Sequence, residues 1–269
     1  MSRVTTACER SLWETAAPVV GAGLLALYAL PVAWLLVSQS PASVFASLRE
    51  PFVVEAARNT LLSATVSTAL ALGFGVPLAY WLARTDVRGQ TLVTAVVAFP
   101  LVLPPVVSGM VLLSAVGSNG LGGLVGVPID GTLAGVVLAQ TFVASPFVVL
   151  SARSAFGRVD RHLEEVAWTQ GVSRWRTVRR VTLPLARRGI LAGATLAFAR
   201  AAGEFGATLM LAYYPRTLPV QIWATFQGRG LDAAVPVAVV LLVVASGALV
   251  LLNLLGESSF VGGGEYSRI

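Results

Sequence analysis

Two charged side chains lie inside an otherwise apolar stretch of this sequence. Arg200 and Glu204 are four residues apart, so a helix would bring them onto one face within contact distance. A charged residue at membrane depth is costly unless it has a partner. The two residues therefore either form an ion pair that braces a helix, or Arg200 attracts an anion. We favour the ion pair, because Glu204 can neutralise Arg200.

Few other residues offer catalytic or metal-binding chemistry. The sequence has one histidine, His162, and one cysteine, Cys8, so we expect no transition-metal site. An intramembrane enzyme would need a paired nucleophile and base at depth, and only Arg200 and Glu204 are charged there. No G-x-x-x-x-G-K-[ST] loop occurs. We therefore expect no catalytic residues, no ATPase activity and no cofactor in this chain.

The elements that must hold these residues are apolar helices. Of 269 residues, 56% are hydrophobic and 12% are charged, whereas a soluble domain is nearer a quarter charged. A hydrocarbon core of about 30 Å requires about 20 apolar residues per crossing. Six stretches fit this length: 18–37, 60–83, 91–116, 132–151, 189–212 and 233–255. The sequence predicts an all-α integral membrane protein with six transmembrane helices, in the cell membrane.

The distribution of arginine predicts the orientation. All 19 basic residues are arginine, and an N-in/C-in topology leaves 14 of them in cytoplasmic segments, nine of these between Arg153 and Arg188. Positively charged loops stay in the cytoplasm. The high pI therefore reflects the topology. We expect the arginine-rich side to lie at membrane lipid and not to bind nucleic acid.

The loop 153–188 is the one long polar segment. A first helix there would end at Gly171, and Ser173 could cap a second one that Pro184 would end. Val172 and Trp175 begin an apolar stripe with arginines beside it. Periodicity alone leaves two interpretations open: a basic helix on anionic lipid, or a docking element for a cytoplasmic partner.

The spacing within this loop resembles a known motif. Glu165-Val166-Ala167, then Gly171, then Leu183-Pro184 is similar to the EAA-type loop of type I ABC importer permeases, with Val166 in place of an alanine. The resemblance favours docking to an ATPase. It implies that the following residues couple the two subunits: Glu165, Val166, Ala167, Gly171, Val172, Ser173, Trp175 and Pro184. It further implies a homodimer of permeases, two ATP-binding cassette subunits that hold ATP and Mg, and an extracytoplasmic oxyanion-binding protein.

The resemblance also indicates the organisation of the chain. Residues 58–255 would form the ABC permease transmembrane domain, including the coupling loop 153–188. Residues 1–57 would supply an N-terminal tail, a first transmembrane helix and an external loop, and 256–269 a flexible cytoplasmic tail. The first helix lacks an A-x-A cleavage site after it, which favours a retained helix over a signal peptide.

Two further segments resemble oxyanion permeases. Residues 99–109, which include Pro104-Pro105, resemble the third-helix motif of oxyanion permeases, and so do residues 199–210. Within the second segment, residues 203–208, followed by residues 216–223, are similar to the molybdate/tungstate branch. Sulfate/thiosulfate permeases are the alternative, since both branches transport tetrahedral dianions. A stand-alone secondary carrier is a further alternative, and it would need no ATPase.

The same two segments are candidates for the translocation path. Pro104 and Pro105 would either expose backbone carbonyls to a cavity or simply bend the helix. Ser108 and Thr208 offer neutral hydroxyl groups, which suit passage of a dianion because a fixed charge would slow its release. We therefore predict that these four residues line the path or its gate, while small residues such as Gly206 mark close helix packing.

Overall fold

The protein is described by a computed structural model, in which the backbone of residues 2–127 and 129–258 and the side chains of residues 16–127 and 129–250 are defined. Within these ranges every regular element is helical. The helices are α1 (Ser2–Val37), α2 (Pro41–Leu48), α3 (Pro51–Arg84), α4 (Gln90–Val102), α5 (Pro105–Val116), α6 (Leu121–Leu124), α7 (Leu133–Gly157), α8 (Arg161–Thr169), α9 (Arg174–Thr177), a π-helical turn (Val178–Thr182), α10 (Leu183–Ala202), α11 (Gly206–Leu211), α12 (Leu218–Arg229) and α13 (Leu231–Ser258).

Five helical segments of the described chain are long and apolar enough to cross a membrane. They are Ala16–Val37, Pro51–Arg84, Pro105–Leu124, Leu133–Gly157 and Leu231–Val250. The third predicted stretch, 91–116, is interrupted between α4 and α5, where Leu103 is extended and Pro104 caps α5. The interruption follows from proline chemistry, because a proline lacks the N–H of the helix and disfavours helical geometry in the preceding residue.

The fifth predicted stretch, 189–212, is also two helices rather than one. Helix α10 begins earlier, at Leu183, and ends at Ala202, and α11 begins at Gly206. Between them, the Glu204 carboxylate accepts a hydrogen bond from the backbone N–H of Ala207 at 2.7 Å. This side chain satisfies an N–H in the first turn of α11, so the chain can restart a helix at an angle to α10.

Small residues bring three long helices together. The shared core of α3, α7 and α10 contains Ala64 and Ala71, Ala144, and Ala197, all at most 1% exposed. Alanine allows close approach of helix backbones, which is the usual basis of packing between helices in lipid. The result is a compact three-helix centre around which the other helices lie.

Two peripheral helices flank this centre. Helix α13 packs on α12 and the start of α3, where Val53, Leu218 and Val237 are buried together. The membrane-length part of α1 is exposed along its whole length and touches α13. Helix α13 continues to Ser258, so the first three residues of the predicted tail are helical, and residues 259–269 lie outside the described part of the chain.

Candidate functional site

The coupling loop contains one short amphipathic helix, α8. Its N-terminus is capped by Asp160, whose carboxylate accepts the backbone N–H of His162 at 3.0 Å. Its C-terminus turns at Gly171, which has φ = +77°, a conformation that favours glycine. The backbone N–H of Gly171 bonds to the carbonyl of Trp168 at 2.9 Å. The helix therefore ends where the sequence predicted.

One face of α8 and the turn after it are open to a partner. The side chain of Glu165 is 62% exposed, with its carboxylate 3.6 Å from the Nδ1 atom of His162. Val166, Trp168 and Trp175 are exposed by 43%, 38% and 72%. A surface that combines one carboxylate with large apolar side chains can bind another protein.

The other coupling residues of the prediction lie around this face. Ala167 and Val172 are half-buried, and Ser173 occupies the N-cap position of α9 without a side-chain hydrogen bond to that helix. The guanidinium of Arg174 lies 5.5 Å from the ring centre of Trp168, which holds α9 against α8. The predicted residues from Glu165 to Trp175 therefore lie on α8, on the turn after it and at the start of α9, while their role toward an ATPase stays a prediction.

The sequence interpretation of Pro184 was wrong in one respect. The proline was expected to end the second helix, but the chain stays helical from Arg174 through α10. The π-helical turn directly before it explains this, because the N–H of Leu183 bonds to the carbonyl of Val178 five residues back. The wider turn moves the carbonyl groups away from the proline ring, and Pro184 lies in the first turn of α10, where its missing N–H does little harm.

A buried carboxylate fixes the loop to the transmembrane helices, and sequence reasoning did not single it out. Glu164 is 2% exposed, and its Oε1 atom accepts hydrogen bonds from Arg84 Nη2 at 2.8 Å, from Arg84 Nε at 3.0 Å and from Thr182 Oγ1 at 2.6 Å. Arg84 also donates to the carbonyl of Val159 at 3.1 Å. These contacts join α3, α8 and the π-helical turn at one point.

Two signals in the sequence point to this carboxylate. Glu164 and Glu165 are adjacent, so their side chains point to different sides of α8. Only one of the two can therefore face the transmembrane helices. Arg84 ends a long apolar helix at the side where the loop 153–188 is expected. An acid that faces inward from the loop therefore lies on the side of the membrane where Arg84 ends α3, and the structure pairs it with Arg84.

The intramembrane charges contact each other. The guanidinium of Arg200 meets the second carboxylate oxygen of Glu204, which is 1% exposed, while Arg200 is 28% exposed. With the bond from Ala207 to its first oxygen, Glu204 has both oxygens engaged at the break between α10 and α11. This contact is the ion pair that the sequence favours, while its role as a brace stays a prediction. It leaves little of the Arg200 charge free for an anion.

The candidate path residues lie where α5 and α11 meet. Gly206 approaches the start of α5 so closely that a Cβ atom would stand 2.8 Å from Cβ of Pro105. Ser108 and Thr208 are both fully buried, and neither hydroxyl has a hydrogen-bond partner among the described residues. In this conformation the two hydroxyl groups therefore face no open path, and their role at a gate stays a prediction.

Taken together, these features define a class. A helical bundle with at least five membrane-length helices holds a short, exposed helix on a loop fixed to α3, and no strand occurs in its described residues. Residues 75–258 match the family described as binding-protein-dependent transport system inner membrane component, so the chain belongs to that family of membrane proteins.

Curated relatives share most of their length with this chain. It is 57% identical over 246 residues to a Haloferax volcanii protein named "Probable molybdenum ABC transporter permease protein", covering 91% of each. It is 40% identical over 236 residues to the molybdate/tungstate transport system permease protein WtpB of Thermococcus kodakarensis, covering 87% of this chain and 92% of the relative.

Solved structures share the fold. A bacterial ABC transporter that imports the polysaccharide alginate superposes with a TM-score of 0.72 at 17% identity, covering 96% of this chain and 99% of the other. A chain of the MetNI methionine ABC transporter superposes with a TM-score of 0.61 at 21% identity, covering 77% of this chain and 94% of the other. At these identities the likeness concerns the fold alone.

Proposed function

We propose that this chain is the permease subunit of an ATP-driven importer for a tetrahedral oxyanion, molybdate or tungstate. The observation that supports this most is the 57% identity, over 91% of both chains, to a relative named as a molybdenum ABC transporter permease. A second relative, named for molybdate and tungstate, is 40% identical. No large insertion separates the chains, so the same transport task fits both.

The proposed assembly has two copies of this chain, two ATPase subunits and an extracytoplasmic binding protein. The exposed face of α8, with Glu165 and Val166, would dock on the ATPase. ATP and Mg would bind to that subunit. The contacts of Glu164 with Arg84 and Thr182 support this proposal, because a loop that transmits force must be rigidly joined to the helices it moves.

The proposed topology has six crossings with both termini in the cytoplasm. Five crossings correspond to the membrane-length segments, and α10 with α11 would supply the sixth. The arginine distribution supports the orientation, since nine arginines lie between Arg153 and Arg188. The coupling loop then faces the cytoplasm, and the segment between α11 and α12 faces outward.

The proposed transport step separates α5 from α11. In the structure these helices contact tightly through Gly109 and Gly206, which closes the space between them. Their buried hydroxyl groups, on Ser108 and Thr208, would be exposed on separation and could donate hydrogen bonds to a passing dianion. The neutral donors would stabilise the anion without binding it tightly, which favours release.

ATP hydrolysis by the purified complex tests the substrate. The chain, its ATPase and its binding protein are combined in lipid nanodiscs, and the binding protein is loaded with tungstate, molybdate or sulfate. We expect stimulation by the tungstate- and molybdate-loaded forms and little by the sulfate-loaded form. Stimulation by the sulfate-loaded form and by neither of the other two would instead indicate a sulfate permease. Transport by this chain in the absence of an ATPase would instead indicate a secondary carrier.

A further inference from the structure

A cationic cluster lies just beyond the end of α11. The Arg216 guanidinium donates from Nη2 to the phenol oxygen of Tyr213 at 2.9 Å and to that of Tyr214, and from Nη1 to Oε1 of Gln221 at 3.2 Å. It also lies 4.7 Å and 4.5 Å from the centres of the two tyrosine rings. The arginine is thus held by two aromatic rings and three oxygen atoms.

The backbone around this cluster is fixed to α3. The side-chain amide of Asn59 donates to the carbonyl of Arg216 at 3.0 Å, and the hydroxyl of Thr60 accepts the N–H of Leu218 at 2.8 Å. Asn59 and Thr60 are almost fully buried. The position of the guanidinium is therefore set by the helical centre of the protein, as a binding site requires.

Among the described residues, the positive charge of Arg216 has no anionic partner. Its three acceptors are neutral oxygen atoms, and no carboxylate among the described residues lies within 4.0 Å of it. Its Nε atom is buried and has no hydrogen-bond partner in the described structure. A partly buried guanidinium without a counter-ion attracts an anion more strongly than an exposed ion pair does.

The two phenol groups are arranged to help such an anion bind. Each phenol oxygen accepts a hydrogen bond from Arg216, so its own hydrogen is free to donate elsewhere. The acceptor role also polarises the phenol and strengthens it as a donor. Tyr213 is 38% exposed and Tyr214 57% exposed, so a ligand can reach both.

We propose that Tyr213, Tyr214 and Arg216 form an entry site for a tetrahedral dianion at the outer end of the α5–α11 contact. Tyr213 follows Thr208 by only five residues, so the site lies directly outside the proposed gate. An oxyanion released by the binding protein would contact the two phenols and the Arg216 charge before α5 and α11 separate. The proposal rests on the proposed oxyanion import and on an outward-facing loop.

The alternative is that the cluster only stabilises the loop through stacking on the arginine. Replacing both tyrosines with phenylalanine keeps the rings that stack on Arg216 and removes the phenol donors, together with the two exposed hydrogen bonds from Arg216 to the phenol oxygens. The melting temperature reports the loss of those two bonds, and the transport rate reports the loss of the donors. Tyr28→Phe is the matched control, since Tyr28 is 64% exposed on α1 and takes part in none of the hydrogen bonds and ring contacts of this cluster.

The test measures tungstate uptake by proteoliposomes that contain the whole complex, at increasing concentrations of tungstate-loaded binding protein. In Y213F/Y214F we expect the maximal rate to fall about tenfold, the effect of losing a hydrogen bond to a charged group. The half-saturating concentration of binding protein and the melting temperature of the complex should stay at wild-type values. Tyr28→Phe should leave all three quantities, including the maximal rate, at wild-type values.

Two results would overturn the entry site while leaving the proposed function intact. One is a maximal rate within about twofold of wild type, below the tenfold expected of a lost charged hydrogen bond. The other is an unchanged maximal rate with a raised half-saturating concentration, which would mean that the tyrosines bind the binding protein. Should the double variant fail to assemble, Tyr214→Phe alone, at the more exposed ring, gives the same decision. Failure of the wild-type complex to accumulate tungstate would instead count against the proposed function.

Discussion

The guanidinium of Arg84, the last residue of α3, lies 2.8 Å from the carboxylate of Glu164 on α8, and the two side chains are only 10% and 3% exposed. Thr182, in the π-helical turn that leads into α10, bonds to the same carboxylate oxygen. A single acidic group thus connects the coupling helix to two of the helices that form the transmembrane core. We therefore expect movement of α8 to be transmitted to α3 and α10.

Removing the Glu164 carboxylate should destabilise the protein. Glu164→Ala leaves Arg84 buried without its counter-ion, and breaking a buried ion pair from one side costs about 3–5 kcal/mol. We expect a clear fall in the melting temperature of the detergent-purified permease, measured without its ATPase. Glu165→Ala makes the same change in charge at an exposed position and should leave the melting temperature unchanged. Equal melting temperatures for the two variants would contradict the role assigned to Glu164.

Changes on the exposed face of α8 should affect assembly instead. Glu165→Ala should reduce recovery of the ATPase in a pull-down with the tagged permease, because the carboxylate is free to pair with a basic group on the partner. Gly171→Pro should reduce recovery further, because φ = +77° is closed to proline and the turn after α8 must change. Unchanged recovery in both variants would mean that the ATPase docks elsewhere.

The local features of this loop could be predicted from sequence. Gly171 ends α8 because only glycine adopts a positive φ without strain, and that preference is visible in the residue type. The choice between Glu164 and Glu165 could not be made in the same way, because it depends on which side of α8 faces α3. The π-helical turn before Pro184 was missed for a related reason. It depends on the fit of α10 against the core, not on propensity.

The Arg200–Glu204 pair predicts a pattern of rescue. Glu204→Gln removes the counter-ion of Arg200 and should lower the melting temperature of the complex, since breaking a buried pair costs about 3–5 kcal/mol. The double variant Arg200→Met with Glu204→Leu removes both charges and should recover part of the loss. A double variant that is stable but transports no tungstate would show that Arg200 contacts the substrate or gate.

The contact between α5 and α11 should tolerate no added side chain. In Gly206→Ala the new Cβ would stand 2.8 Å from Cβ of Pro105 and 2.9 Å from the backbone nitrogen of Val106, so α11 must shift. We expect ATP hydrolysis that no longer depends on the loaded binding protein, because the closed state is weakened. Gly73→Ala is the control, since a Cβ there meets nothing within 4 Å. If ATP hydrolysis by Gly206→Ala depended on the loaded binding protein as in the wild type, the contact between α5 and α11 would not be part of the gate.

The positions of Ser108 and Thr208 show another limit of the sequence. Both residues lie on the predicted helices, and hydroxyl groups in apolar segments are a readable signal. Their complete burial could not be predicted from the sequence, because it results from the glycine contacts between α5 and α11, which are far apart in the chain. Fold class and membrane character, in contrast, follow from composition and apolar length alone.

Thiol labelling checks the orientation. After Cys8 is replaced, a cysteine at Asn119, which is exposed after α5, should react with a membrane-impermeant reagent in intact cells. A cysteine at Gln170, exposed at the end of α8, should react only after lysis. The physical reason is the excess of arginine on the side of the coupling loop. The reverse pattern would invert the topology and separate α8 from any cytoplasmic ATPase.

The most direct test of this account is accumulation of radiolabelled tungstate in proteoliposomes containing the chain, its ATPase and the loaded binding protein. We expect accumulation only when ATP is present on the side of the membrane that carries the ATPase. Accumulation should disappear when the ATPase is omitted. Accumulation without ATP or ATPase, or none under any condition, would contradict the claim that this chain is the permease of an oxyanion importer.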